Sequence, residues 1–301
     1  SLKPLLEGRS ARRPATAYSE SFYSRFHFGW SDLRTVRTDH YRFIEAPRPE
    51  RYDVTRDPGE VENLAGALPE VLAAMRSTLA RMEDEMGEAP DATGPAEMDE
   101  ETLKKLAALG YIGATVDTKG KTSADLPDPK DKIGIVNRMH EAREQFLSGD
   151  TASSISALKE IVADAPEVID AWFRLGNAYL RAGELPAALE TFRKTLELKP
   201  DHDWAVAAMA DTFVEMGRID DAIVGYRRFL ARDPDNDGVT YRMAETLLDA
   251  GNVDEAARAF NRVLEINPGR ASAAVGLAAV AARAGNLAGV RSGIARALAI
   301  D

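Results

Sequence analysis

The residues best able to do chemistry in this chain are histidines and carboxylates, because the sequence contains no cysteine. Asp201, His202 and Asp203 stand side by side and offer the nitrogen and oxygen atoms that bind zinc in proteins. The other histidines are scattered and lack the i, i+4 spacing of a helical metal site: they are His27, His40 and His140. We therefore predict no metal site and interpret Asp201 and Asp203 as helix N-caps.

Catalytic and cofactor motifs are also missing from the sequence. It has no nucleophile elbow, phosphate-binding loop or dinucleotide-binding turn. The acidic runs 83–85 and 99–101 are typical of solvated helix ends. The formal net charge of −11 argues against a nucleic-acid partner, and no apolar run approaches the ~20 residues of a membrane span. We predict no catalytic residue, bound cofactor or metal in this chain.

A period of 34 residues organises the second half of the chain. Glycine permits a tight turn between two helices, and proline ends the second helix. The glycines in phase with this period are Gly149, Gly183, Gly217, Gly251 and Gly285. The prolines in phase with it are Pro166, Pro200, Pro234 and Pro268. This pattern predicts stacked helical hairpins in units 135–168, 169–202, 203–236, 237–270 and 271–301.

One unit carries a resemblance to a known repeat. It contains Trp172, Leu175-Gly176, Tyr179, Ala188, Phe192 and Pro200. This order and spacing resembles the tetratricopeptide repeat (TPR). The resemblance implies an α-solenoid of about five hairpins over residues 131–301, which binds a protein or peptide in its groove.

The resemblance also implies which first-helix positions line that groove. The residues at these positions that we predict to contact a partner are Phe173, Asn177, Trp204, Asp211, Glu215, Tyr241, Glu245 and Asp249. Their acids and aromatic rings favour a segment that places Lys or Arg beside a large apolar side chain. The alternative is that these acids only keep the groove soluble.

The first third of the chain follows a different pattern. Alternating apolar residues predict strands at Leu33–Arg37, Tyr41–Glu45 and about Arg51–Val54, followed by a helix from Asn63 to Met86. We divide the chain into a small α+β subdomain at 1–88, a linker at 89–130 with a short helix at 99–110, and the repeats at 131–301. The fold class is therefore mainly α.

Short matches in this first third carry a second resemblance. The strings are Phe28-Gly29-Trp30-Ser31, Tyr41-Arg42-Phe43-Ile44, Ala46-Pro47-Arg48-Pro49-Glu50 and Asp57-Pro58-Gly59-Glu60. They resemble the C-terminal subdomain of sulfatases in the alkaline-phosphatase-like superfamily. The sulfatase nucleophile motif, Cys/Ser-x-Pro-x-Arg, does not occur in this sequence.

This resemblance implies a parent hydrolase of sulfuric or phosphoric esters, whose catalytic domain and divalent metal lie outside this chain. The opening Ser1-Leu2-Lys3-Pro4 lacks an initiator Met, as expected of a piece of a longer protein. Such hydrolases are often exported, which favours the periplasm or secretion, and the cytoplasm stays open. The alternative function is a free-standing TPR adaptor with no hydrolase connection.

Overall fold

The computed structural model describes residues 16–86, 118 and 120–300. The chain divides into two compact units, Ser1–Asn137 and Arg138–Asp301, whereas the sequence suggested boundaries at 88 and 131. The predicted short helix at 99–110 lies outside the described residues.

A four-stranded antiparallel sheet forms the first unit, with strand order β1-β2-β3-β4. The strands are β1 (Ala17–Ser21), β2 (Leu33–Arg37), β3 (Tyr41–Glu45) and β4 (Glu50–Asp53). The bounds of β2 and β3 are those predicted from the sequence, and β4 begins one residue earlier than predicted. The sequence missed β1, because its polar residues Tyr-Ser-Glu-Ser lack the apolar alternation of a half-buried strand.

In the described residues, two α-helices pack with this sheet or precede its second strand. Helix α1 (Tyr23–Phe28) ends at Gly29, whose φ of 70° is the left-handed conformation favoured at a helix C-terminus. Helix α2 (Pro69–Met86) packs Met75 and Leu79 against the strand residues Val36 and Phe43, which together form the buried core of this unit.

The prediction that α2 begins at Asn63 was wrong. The Asn63 side chain accepts hydrogen bonds from the backbone N–H groups of Arg51 and Ala65. The Arg51 guanidinium donates to the Leu64 carbonyl oxygen, with the shorter distance 2.7 Å. These contacts hold residues 63 and 64 against β4, and the helix starts at Pro69, where proline is tolerated in the first turn.

A buried polar network closes the first unit. The Asp32 carboxylate accepts hydrogen bonds from Arg25 at 2.8 Å, from Arg34 at 2.8 Å and from the Ser123 hydroxyl at 2.5 Å. Arg25 also donates to the Lys121 carbonyl oxygen. The described residues between 118 and 130 therefore belong to this unit, although the sequence assigned them to a linker.

Five helical hairpins follow in the described residues. The helices are α3 (Pro129–Ser148), α4 (Thr151–Asp164), α5 (Ile169–Ala182), α6 (Leu185–Leu198), α7 (Asp203–Glu215), α8 (Ile219–Leu230), α9 (Asp237–Asp249), α10 (Val253–Ile266), α11 (Ala271–Arg283) and α12 (Leu287–Ile300). The five predicted turn glycines all have positive φ values, between 69° and 93°. The predicted helical hairpins are confirmed.

Packing within and between the hairpins relies on small side chains. The Phe192 ring of α6 lies against Gly176 of α5, where an added Cβ atom would stand 2.4 Å from the ring. Phe260 of α10 meets Gly276 of α11 at the same distance. Ile294 of α12 occupies the repeat position held by Phe192 in α6 and by Phe260 in α10. The Ile294 side chain is 48% exposed, whereas Phe260 is 1% exposed.

The assignment of Asp201 and Asp203 as N-caps was also wrong. His202 is the N-cap of α7, and its Nδ1 accepts a hydrogen bond from the Ala205 N–H at 3.1 Å. The His202 ring is buried and packs 4.7 Å from the Phe173 ring. An imidazole suits this apolar position better than a carboxylate, whose burial costs more free energy.

Candidate functional site

The first helices of the hairpins form one continuous surface, which we call the groove. Direct contacts join α5 to α7 and α9 to α11. Hydrogen bonds between first helices tighten it: Arg181 of α5 donates to the Phe146 carbonyl oxygen of α3 at 2.6 Å. Arg283 of α11 donates likewise to the Leu248 carbonyl oxygen of α9 at 3.1 Å.

All eight predicted partner-binding residues lie on three of these helices. Phe173 and Asn177 lie on α5, and the other six divide equally between α7 and α9. Those on α7 are Trp204, Asp211 and Glu215, and those on α9 are Tyr241, Glu245 and Asp249. They differ in how much of each side chain is already engaged in packing or hydrogen bonds within the array.

The three aromatic residues are partly used in packing. Phe173 lies against Phe192 and His202, and Tyr241 lies against Phe260 with the Arg270 guanidinium 4.5 Å above its ring. Trp204 packs edge-on against Phe229 but keeps 52% of its surface exposed. Trp204 is therefore the aromatic side chain with the most surface left for a ligand.

Asp211 is engaged inside the array. Its carboxylate accepts a 2.6 Å hydrogen bond from the Tyr226 hydroxyl and forms an ion pair with Arg242. Burial raises the pKa of Asp211 above its ordinary value, although the bonds from Tyr226 and Arg242 oppose that shift. Burial and the same carboxylate also raise the pKa of Tyr226. Asp211 thus joins adjacent hairpins and has little charge left for a partner.

The other three acids are exposed and stand at the C-terminal ends of their helices. Glu215 is the last residue of α7, Asp249 is the last of α9, and Glu245 lies one turn earlier. Asp249 is 3.6 Å from Arg283, and Glu215 has no ion-pair partner within the described part of the chain. A carboxylate there meets the negative end of the helix dipole, which costs about 0.3–1 kcal/mol.

Neighbouring first helices show the opposite charge at this place. Helices α5 and α11 carry Arg181 and Arg283 in their last turns, whereas α7 and α9 have no basic residue there. The acids therefore concentrate negative charge in the middle of the groove.

A cavity of about 180 Å³ opens between α3, α4 and α5. We call it the Arg143 pocket, and the residues that matter for its chemistry are Arg143, Phe146, Leu158, Phe173, Arg174 and Asn177. Of the predicted partner-binding residues, it brings Phe173 and Asn177 together. Sequence reasoning missed Arg143 and Phe146 because the first repeat is degenerate, yet Arg143 stands 34 residues before Asn177.

The described residues offer neither a metal-binding cluster nor a membrane-spanning helix. Among the residues that the structure describes, no three His, Asp or Glu side chains cluster so as to hold a metal ion. None of the helices described is both long and apolar enough to span a membrane.

Comparisons with known proteins agree on the helical array. The family model described as tetratricopeptide repeat matches residues 141–203, 207–269 and 241–299, which together make up just over half of the chain. No curated protein sequence gives a significant match.

Solved structures share the fold at low sequence identity. MamA from Desulfovibrio magneticus RS-1, solved from residue 41 to its end, is 14% identical over 55% of this chain and 94% of that chain, with a TM-score of 0.51. Another MamA crystal structure is 19% identical over 55% of this chain and 91% of its own, with a TM-score of 0.50. YrrB, described as a TPR protein with an unusual peptide-binding site, has 17% identity and a TM-score of 0.47, and the match covers 57% of this chain and 89% of that chain.

Proposed function

Because the chain belongs to the tetratricopeptide repeat family, we propose that its helical array is an interaction scaffold that holds a peptide segment of a protein partner in the groove. The groove presents exposed side chains from successive first helices, and Trp204 and the three exposed acids lie among them. An extended or helical segment that follows the groove would contact several hairpins at once.

The observation that carries the proposal is the unfavourable position of the groove acids. Glu215 and Asp249 end their helices with negative charge where a basic residue would be more stable. A Lys or Arg side chain of a bound peptide would offset that charge. Tetratricopeptide membership supports a peptide or protein partner, and these acids support a basic one.

Affinity and selectivity would come from different groups. Trp204, half exposed in the first turn of α7, would anchor a large apolar side chain, and buried anchors of this kind cost about 2 kcal/mol or more on truncation. Exposed charges mainly set the association rate and the choice of partner, and salt screens them. Binding should therefore weaken as salt is added.

The test is a selection of peptides from a random library against the whole chain. We expect enrichment of Lys or Arg next to a large apolar residue, and loss of this basic preference in the variants Glu215→Lys and Glu245→Lys. Glu160→Lys is the matched control, because Glu160 is an exposed acid on α4 with no ion pair among the described residues. The proposal fails if the selected peptides show no basic bias, or if reversal at 215 and 245 leaves that bias unchanged.

A hydrolase connection is a second hypothesis, and one observation favours it. The first unit combines a small antiparallel sheet with a helix, as the resemblance to a sulfatase C-terminal subdomain implies. In this hypothesis the chain is the C-terminal portion of a sulfatase-like hydrolase and hydrolyses no ester by itself. The tetratricopeptide match supports an interaction scaffold, and the free-standing adaptor requires nothing more.

The two hypotheses differ in what the gene encodes. A hydrolase parent requires a Cys/Ser-x-Pro-x-Arg motif and acidic metal ligands in the reading frame upstream of Ser1. Sequencing that region decides between them, because a frame without these features leaves the adaptor alone.

A further inference from the structure

We propose that the Arg143 pocket is a second subsite of the groove, which takes an apolar side chain of the bound peptide together with an adjacent carboxylate. This inference rests on the proposed function, since it concerns the same bound segment. It adds an acidic end to a ligand that the middle of the groove selects for basic residues.

The floor of the pocket is apolar. Leu158 is buried there, and the one hydroxyl in the floor, that of Ser154, already donates a 2.8 Å hydrogen bond to the Ala142 carbonyl oxygen. The rings of Phe146 and Phe173 are half-buried and line the sides. A polar side chain entering this space would lose hydrogen bonds to water without replacement, so an apolar side chain fits best.

The rim of the pocket is positive. Arg174 is neutralised by Asp170, which it meets at 2.7 Å. Arg143 is exposed and has no ion-pair partner among the residues described, and the Asn177 amide lies beside it in the lining. Arg143 can therefore give a carboxylate two parallel hydrogen bonds, the geometry in which arginine binds carboxylates most selectively.

One wall of the pocket is also held in place. The Arg181 guanidinium lies 4.7 Å from the centre of the Phe146 ring, and its Nη1 donates a hydrogen bond to the Phe146 carbonyl oxygen. This arrangement fixes α3 against α5 at the pocket, so the space is preformed in the absence of a ligand.

The pocket lies at one end of a line of equivalent repeat positions along which the side-chain charge changes. Equivalent positions of the first four first helices, each 34 residues apart, hold Arg143, Asn177, Asp211 and Glu245. Charge along this line runs from positive through neutral to negative, with Asp211 offset by Arg242. A peptide with an acidic end and a basic centre is complementary to this gradient in one direction only, so the groove would fix the orientation of its ligand.

The test uses the random library displayed on phage, selected against the whole wild-type chain, Arg143→Glu and Arg258→Glu. Arg258 is an exposed arginine on α10 with no ion pair among the described residues, which makes it the matched control. Far-ultraviolet circular dichroism and the thermal midpoint establish that each variant is folded.

We expect wild-type ligands to combine an apolar–acidic pair at one end with Lys or Arg further along, always in the same order. Arg143→Glu should lose the apolar–acidic pair and keep the basic residues, whereas Arg258→Glu should select the wild-type motif. A synthetic wild-type ligand whose two halves are exchanged should bind on the order of tenfold more weakly.

Three outcomes overturn the inference, and they separate it from the proposed function. The pocket is not a subsite if the wild-type chain selects basic ligands that lack the apolar–acidic pair. It is also not a subsite if Arg143→Glu still selects that pair. Either result leaves the proposal of a basic ligand in the groove intact. A selection that yields no peptide at all refutes both.

Discussion

Several polar contacts of the first unit's buried network join residues far apart in sequence, whereas those of the helical array join residues of the same or the next hairpin. Arg25 reaches Thr118 and Lys121, and Ser123 reaches Asp32, over sequence separations of 91 to 96 residues. In the array, Tyr226 bonds Asp211 over 15 residues and Arg283 bonds Leu248 over 35.

This difference in sequence separation predicts how each unit responds to the loss of one contact. Contacts between adjacent repeats let the array tolerate a local defect, because each hairpin depends mainly on its neighbours. The first unit has a small core and a network whose members come from its two ends. The loss of one group there should be felt across the whole unit.

The largest expected effect is at Asp32, which is only 1% exposed. Burial alone would raise the pKa of Asp32, but hydrogen bonds from Ser123, Arg34 and Arg25 hold it below its ordinary value. Asp32→Asn leaves Arg25 buried without a counter-charge, which typically costs about 3–5 kcal/mol. Hydrogen exchange read by mass spectrometry should show faster exchange throughout β2 and β3, with α5 to α10 unchanged.

Asp39→Asn is the control, because Asp39 is exposed in the β2–β3 turn. Equal acceleration in α5 to α10 would contradict the separation into two stability units. Unchanged exchange in β2 and β3 would contradict the importance of the network.

A smaller and more local effect is expected at Gly176. In Gly176→Ala the new methyl group would overlap the Phe192 ring, and overpacking of this kind costs about 1–3 kcal/mol. Exchange should rise in α5, α6 and α7 while α11 and α12 keep their wild-type rates. The same change at Gly134, a helical glycine of α3 with open space around it, should stabilise by roughly 0.5–1 kcal/mol. If Gly176→Ala matches Gly134→Ala, the close packing of α5 on α6 is not a constraint.

The smallest effect is a pH dependence at His202. Burial, followed by repulsion from Lys199, lowers the pKa of His202 below its ordinary value. Its capping bond needs the neutral ring, so the stabilisation is complete above the unfolded pKa of about 6.5 and is lost as pH falls through the folded pKa.

Thermal midpoints measured from pH 7 to pH 5 should therefore fall more steeply for the wild type than for His202→Asn, which keeps an N-cap acceptor. The expected difference is about 1 kcal/mol in the free energy of unfolding. His140→Asn, at an exposed position on α3, should keep the wild-type slope. Parallel pH profiles for wild type and His202→Asn would show that protonation of His202 does not affect stability.

Sequence patterns predicted most of the array because its constraints are local and repeated. Turn glycines, helix-ending prolines and small packing residues follow a period of 34, so each unit supports the assignment of the next. In the first unit, β2 and β3 could be predicted from alternation, but β1 is held by pairing with β2 rather than by its own residues. Long-range pairing of this kind leaves no local signal.

The sequence predicted which residues lie in the groove, but it did not predict which of their side chains are free to contact a partner. Sequence alone placed Asp211 and Glu215 on one helix, but it could not show that Tyr226 and Arg242 occupy Asp211 while Glu215 stays exposed. The partners of Asp211 come from the next two helices of the chain. Arg143 escaped notice because its repeat has weak consensus residues, although its register was readable.

The apolar residues exposed on α12 suggest how such a groove could gain further repeats. Ile294 and Leu298 stand where Phe260 and Leu264 are buried one hairpin earlier. A duplicated hairpin inserted after α12 would meet the same apolar pattern that each hairpin already meets in its predecessor. Gene duplication, in evolution or in protein engineering, could therefore lengthen the groove by whole repeats without redesigning any existing interface.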